Sequence, residues 1–116
     1  VRVVNHQGTI FTLAGDGNCS FSGDGGPAKN AELCGPQGIG VDQRRNVYIA
    51  DAYNGRIRVV NSSRVINTYA GAGGGGYNGN GLPALQTDME PFPLTVSPTG
   101  IVFYGDVLSY LVRDIH

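Results

Sequence analysis

Arg2-Val3-Val4-Asn5 returns as Arg58-Val59-Val60-Asn61, an offset of 56 residues. Thr12, Ala14 and Gly15 return at the same offset as Thr68, Ala70 and Gly71. Gly23, Gly25, Pro27 and Ala28 return as Gly79, Gly81, Pro83 and Ala84. Phe21 lies opposite Tyr77, and Leu33 opposite Met89. One residue is then lost and the offset becomes 55, so that Pro36 meets Pro91, Val41 meets Val96, Val47 meets Val102, Asp51 meets Asp106 and Arg58 meets Arg113. So many matches in one order mark an internal repeat, and a period of this length belongs to propellers and solenoids.

Each repeat reads as four short strands. The first spans 8–14, matched by 64–70; the second 38–42, matched by 93–97; the third 46–51, matched by 101–106; the fourth 56–61, matched by 111–116. Turn residues separate them, and no stretch carries helical periodicity over ten residues. Four strands per repeat make a propeller blade rather than a βα solenoid. Val47-Tyr48-Ile49-Ala50 is apolar on both faces, as a strand packed between two blades must be. The expected architecture is therefore all-β: a β-propeller fragment of two four-stranded antiparallel blades, 6–61 and 62–116. Residues 1–5 are expected to be the outer strand of a preceding blade.

Composition agrees with this reading. The 116 residues include 19 Gly and 6 Pro, a surplus that points to many tight turns, and 41% are hydrophobic, enough for a core. The net charge is −1, and Arg44-Arg45 is the one adjacent basic pair, so no stripe suited to nucleic-acid phosphates exists. No apolar run approaches the roughly 20 residues of a membrane helix. Neither nucleic acid nor membrane is expected as a partner.

The stretch Gly23-Asp24-Gly25-Gly26-Pro27-Ala28, then Leu33, Gly35-Pro36, Gly38-Ile39, Val41-Asp42, Asn46-Val47-Tyr48-Ile49-Ala50-Asp51 and Asn54-Gly55-Arg56-Ile57-Arg58, closely resembles an NHL repeat. The second repeat resembles it more weakly: Ser109 and Leu111 stand where Asn54 and Arg56 stand in the first. The resemblance implies a propeller, usually of six blades, that binds protein, RNA or glycan; a minority of related propellers are lyases or hydrolases.

Most of the motif has a structural explanation. Asp51 ends a strand and can accept hydrogen bonds from the turn after it, which holds Asn54. Arg56 can reach that carboxylate or nearby carbonyls. Because Arg56 has no counterpart, the second blade is expected to clamp its turn differently or less firmly. Gly25 and Gly26 open backbone angles closed to other residues, and Pro27 fixes the exit from their loop. Phe21 and Tyr77 are expected to pack within their loops, the alternative being a partner surface.

Cys19 and Cys34 lie in one long loop and are both missing from the matching loop, which points to a disulfide; two separate buried thiols are the alternative. Asn18-Cys19-Ser20 and Asn61-Ser62-Ser63 are glycosylation sequons, Asn61 being the better placed. Together these favour an extracellular setting. Asp16 and Asp24 lie among glycines but lack regular calcium-loop spacing, so turn roles fit them better. No metal, cofactor or catalytic residue is expected, since no nucleophile elbow, paired-carboxylate motif or HExxH occurs.

Two blades do not close a ring. The neighbours they need would be further blades of a longer chain, which the in-phase repeat favours, or identical copies, three of which would make six blades. The expected function is a non-catalytic platform for protein or glycan, or a structural building block. The alternative is part of a propeller enzyme, a lyase or hydrolase, whose active site is built mainly by other blades.

Overall fold

In the computed structural model, which describes residues 1–116, each short apolar run becomes a strand and no α-helix forms. The strands are β1 (Arg2–Val4), β2 (Ile10–Thr12), β3 (Pro36–Val41), β4 (Val47–Asp51), β5 (Arg56–Val60), β6 (Ile66–Ala70), β7 (Pro91–Val96), β8 (Val102–Asp106) and β9 (Leu111–Ile115). Single 3-10 turns occur at Ala28–Asn30, Ala52–Asn54 and Ala84–Gln86. All strand pairs are antiparallel, in sheets ordered β1-β2, β3-β4-β5-β6 and β7-β8-β9.

The all-β propeller architecture is as expected, but the strands group differently. The segment expected to open the second blade, β6, instead closes the first, pairing with β5 so that Val60 lies opposite Ile66. The sheet therefore crosses the division at residue 61, and one complete four-stranded blade stands between sheets of two and three strands. Residues 1–5 are not the outermost strand: β1 matches β5 in the repeat, and β2, matching β6, lies outside it. Chain closure explains the grouping. The short connection 61–65 closes a hairpin at little entropic cost, whereas the long connection 13–35 carries the chain to the next blade.

The hairpin turns share one device. The Asn61 side-chain oxygen accepts from the backbone N–H groups of Ser63 and Val65 at 3.0 and 3.1 Å. Asn5 does the same for Gln7 and Thr9, and Asp42 for Arg44 and Asn46. Side-chain oxygens that mimic a turn carbonyl are why Asn, Asp and Ser recur at strand ends.

Both faces of the four-stranded sheet are packed over β4, β5 and β6, whereas Ile39 and Val41 of β3 are exposed. On one face Ile49, Val60 and Ile66 pack against Leu13, Ala14, Ala28, Ala31 and Leu33 of the first connection. On the other, Tyr48, Ile57 and Ala70 pack against Met89, Val102 and Tyr104 of the following repeat. The doubly apolar β4 supplies Ile49 to one cluster and Tyr48 to the other.

β3 and β7 approach so closely that Gly38 has no room for a side chain. A Cβ there would lie 2.6 Å from the Phe92 carbonyl oxygen and 3.0 Å from the Leu94 nitrogen, both backbone atoms that cannot swing aside. Gly38→Ala should therefore destabilise the protein by about 1–3 kcal/mol, the cost of forced overpacking. Urea unfolding of the two proteins measures it, and a difference near zero would show that β3 and β7 can separate freely.

Candidate functional site: the arginine clamps and the connections they hold

β4 ends in Asp51, and β5 begins across a tight turn that brings Arg58 back beside it. The Arg58 and Asp51 side chains are both fully buried and joined by an ion pair of 3.2 Å. The remaining Arg58 bonds reach into the connection: Nη1 donates to the Glu32 carbonyl at 3.2 Å, and Nη2 to the Ser22 carbonyl at 3.0 Å and to Asp24 at 2.8 Å. Its Nε has no hydrogen-bond partner. Asp51 also accepts from the Cys34 backbone N–H at 2.7 Å and from the Asn54 side-chain amide at 2.8 Å. That same amide nitrogen donates to the Ser20 carbonyl. A buried charge is tolerable only when paired and hydrogen-bonded in this way.

Arg56 has a different role from the carboxylate clamp. Its Nη1 donates to the Asn54 carbonyl at 3.1 Å, and its Cζ lies 3.7 Å from the centre of the Phe21 ring. Arg58 approaches that ring at 4.7 Å, so Phe21 covers both guanidinium groups. The second repeat builds the same centre. Arg113 pairs with buried Asp106 at 3.2 Å, donates to the Gly79 and Asp88 carbonyls, and lies 5.1 Å from the Tyr77 ring. The second clamp therefore keeps its ion pair; what changes is the turn, where Ser109 reaches only the Asp106 carbonyl, at 3.5 Å, in place of the Asn54 brace. Arg58, Arg113 and Asp24 were not singled out from sequence as clamp residues. The signal was present, since Arg58 recurs as Arg113 whereas Arg56 faces Leu111.

Gly25, Gly26 and Pro27 lie along the outer edge of β6. The Gly25 N–H donates to the Ile66 carbonyl at 2.8 Å, the Ile66 N–H to the Gly26 carbonyl at 3.1 Å, and Pro27 bridges to Val65. Asp24 is held by Arg58 and by the Thr68 hydroxyl at 2.6 Å, while Asp16 accepts from the Asn18 backbone and side chain. Cys19 and Cys34 form a disulfide, with Cα atoms 4.3 Å apart. Asn18 and Asn61 are both exposed.

Two tyrosines complete the electrostatics. Burial, together with a hydrogen bond to Asp42, pushes the Tyr48 hydroxyl up to about 12. Burial does the same to Tyr104. Both stay neutral through the physiological range.

A family model for the teneurin NHL domain matches residues 1–89. The chain belongs to the teneurin NHL-domain family. Teneurin-1 of Homo sapiens is 35% identical over 128 residues, an overlap of 98% of this chain and 4% of the relative. Teneurin-1 of Caenorhabditis elegans is 45% identical over 56 residues, covering 44% of the chain and 2% of the relative. This NHL chain thus spans a small part of the curated relatives it matches. Among solved structures, a Bacteroides thetaiotaomicron protein of unknown function matches with a TM-score of 0.78 at 21% identity, over 97% of this chain and 28% of its own. An auxiliary nutrient binding protein from the same organism matches with a TM-score of 0.76 at 20% identity, over 99% of this chain and 31% of its own. At these identities the structural likeness speaks to the fold alone. The chain is an NHL-type β-propeller module.

The clamp makes a graded prediction. Asp51→Ala leaves Arg58 buried with one carboxylate fewer and should cost about 3–5 kcal/mol. Asp24→Asn, at a carboxylate that is 37% exposed, should cost about 1 kcal/mol or less. Denaturant unfolding of both variants checks the order, and equal losses would contradict the assignment of Asp51 as the central acceptor.

Proposed function

We propose that this module is a non-catalytic part of a larger propeller, working outside the cell as a platform for a protein or glycan ligand. The observation that carries the reading is the division of labour among its side chains. The buried charged groups Asp51, Arg58 and Asp106, with the half-buried Arg113, are all engaged in holding connections in place. The exposed turns and connections instead present large apolar and aromatic groups: Tyr53, Tyr77, Leu82, Leu108 and Tyr110. Aromatic side chains give large contact areas at low entropic cost, which suits a binding surface.

Incomplete burial supports the larger propeller. Ile57 and Val112 are equivalent in the repeat, yet Ile57 is fully buried and Val112 is 80% exposed. Ile57 packs on the following repeat, and Val112 has no such neighbour. Val4, Ile10, Ile39 and Val41 are exposed toward the other end of the arc. Further blades, from the same longer chain or from identical copies, would cover these faces, each large aliphatic group contributing about 1.5–3 kcal/mol on full burial.

The disulfide and the exposed sequons support the extracellular setting. In protein secreted by eukaryotic cells, Asn61 should carry an N-glycan, removed by amidase digestion and absent from Asn61→Gln. Unmodified Asn61 together with freely alkylating Cys19 and Cys34 would overturn the compartment. The double variant Cys19→Ser, Cys34→Ser should lose about 3 kcal/mol of stability, the chain-entropy value for a loop of this size. Ligand binding is tested in the intact source protein with Tyr53→Ala and Tyr110→Ala, screened on immobilised glycans and extracellular protein domains. The platform reading requires weaker capture with an unchanged melting temperature.

A further inference from the structure

Four hairpin turns close with the same bond, from the backbone N–H of the fourth residue to the carbonyl of the first. Gly8 donates to Asn5, Arg45 to Asp42, Arg64 to Asn61 and Gly100 to Ser97, at 2.9–3.1 Å. In each turn the fourth residue is left-handed, with φ between 63° and 89°. Glycine is what such a position calls for. The two turns of the complete blade carry Arg there instead, and so bear a strain that glycine avoids. Neither side chain repays it within the chain. Arg45, Arg64 and the adjacent Arg44 are exposed, and the ion pairs of the protein involve only Arg58, Arg113 and His116.

The fold brings these cations to one end of the blade. Val47 lies opposite both Val41 and Val60, and Val60 opposite Ile66, so turns 42–46 and 61–65 sit side by side. Two strand spacings, about 10 Å, separate them. β7 runs alongside β3 in the same direction, Gly38 against Phe92 and Leu94 and Gly40 against Thr95 and Val96, which sets turn 97–100 beside turn 42–46. Between those two turns opens a cleft of about 410 Å³. Both its walls are complete hairpins inside the chain. Gln43, Arg44, Asn46 and Tyr48 line one side, Pro98 and Thr99 the other. Asp42 also borders it, but its carboxylate is occupied within its own turn. Oδ1 accepts from the Arg44 and Asn46 N–H groups at 2.9 Å, and Oδ2 from the Asn46 amide at 2.9 Å and the Tyr48 hydroxyl at 3.1 Å. The long connections at the opposite end of the sheets carry Asp16, Glu32, Asp88 and Glu90, so an anion is drawn to the turn end.

We propose that this cleft binds a glycan through a carboxylate-bearing sugar. The carboxylate pairs with the Arg44 guanidinium, the sugar hydroxyls meet the Gln43, Asn46, Tyr48 and Thr99 side chains, and Arg45 and Arg64 meet further acidic groups of the same glycan. Apart from Pro98 and the Tyr48 ring the lining is polar, so an acidic peptide finds no pocket for an apolar anchor, whereas a sugar offers a hydroxyl to each polar group. A planar carboxylate matches the guanidinium fork. With Asp42 beside Arg44, the local positive charge is too small to favour a densely sulfated chain. The inference deepens the reading of the module as an extracellular platform by naming the ligand class, at the end of the sheets opposite Tyr53 and Tyr110.

The test uses the intact source protein, freed of its own N-glycans by amidase. The immobilised probes are oligouronates, sialylated oligosaccharides, both again with their carboxyl groups reduced to alcohols, sulfated oligosaccharides and oligoglutamate. At least one carboxylated glycan should be captured, and about tenfold more weakly after reduction, as loss of a charged hydrogen-bonding group implies. Arg44→Gln should weaken that capture about tenfold or more. The double variant Arg45→Gly, Arg64→Gly should weaken it too, with a melting temperature unchanged or raised, because glycine relieves the strain. Equal capture of the reduced glycan, or capture indifferent to all three arginines, would overturn the site. Stronger arginine-dependent capture of sulfated chains or oligoglutamate would overturn the ligand class. A lowered melting temperature in the double variant would show that the two arginines serve the fold. Capture that falls with Tyr53→Ala and Tyr110→Ala but not with the arginine variants would reject this site and retain the platform reading. The reverse pattern would retain the site and reject the aromatic surface.

Discussion

A guanidinium removed from water keeps its charge, so it must be surrounded by acceptors, and those acceptors must be brought to it from wherever the chain holds them. Arg58 gathers Asp51 from the end of β4 and the Ser22 and Glu32 carbonyls and Asp24 from the preceding connection. That convergence holds the connection at three points, in addition to the disulfide and the main-chain bonds to the edge of β6. Residues 13–35 are rich in glycine and contain no strand, so their conformational entropy is high. Once they are pinned at Ser22, Asp24 and Glu32, their few apolar groups, Leu13, Ala28, Ala31 and Leu33, can cover one face of the complete blade.

The two repeats keep this centre and vary what surrounds it. Both pair an Arg with a buried Asp, with an aromatic ring over the guanidinium. The first adds the disulfide and the Asn54 brace. The second has neither, and its turn replaces Gly55 by Tyr110 in the same left-handed conformation, with φ of 60° and 58°. A side chain in that region is strained, and Tyr110 is also 94% exposed. Variation is thus concentrated at the surface turns, while both repeats keep the Asp–Arg pair and the ring beside it.

Stability in such a protein is shared between neighbours rather than held in one core. The complete blade packs on both faces through its β4–β6 residues, as its two separate clusters show, while Ile39 and Val41 of β3 stay exposed. The outer sheets of the arc each have one face and one edge without a neighbour. This leaves Val4, Ile10 and Val112 exposed at the two ends, while the clamps hold the long connections in place.

The sequence by itself determined the period, the strands, the turn chemistry and the cysteine pair. These are local patterns or self-matches: short apolar runs, Asn and Asp at strand ends, and two cysteines missing together from the second loop. It did not determine where a sheet begins. A repeat has no intrinsic starting point, and whether 64–70 opens one blade or closes another depends on which hairpin forms and which edge is free, a matter of tertiary pairing. Nor did reach along one short strand distinguish Arg56 from Arg58; the repeat marks Arg58, which recurs as Arg113, but what each guanidinium touches was decided by the fold. The β4–β5 register sets Arg56 directly opposite Asp51, yet it is Arg58 that pairs with the carboxylate, and Arg56 lies against Phe21. A charge buried in an apolar interior needs its acceptors at hydrogen-bonding distance, and that distance is set by packing between segments far apart in the chain.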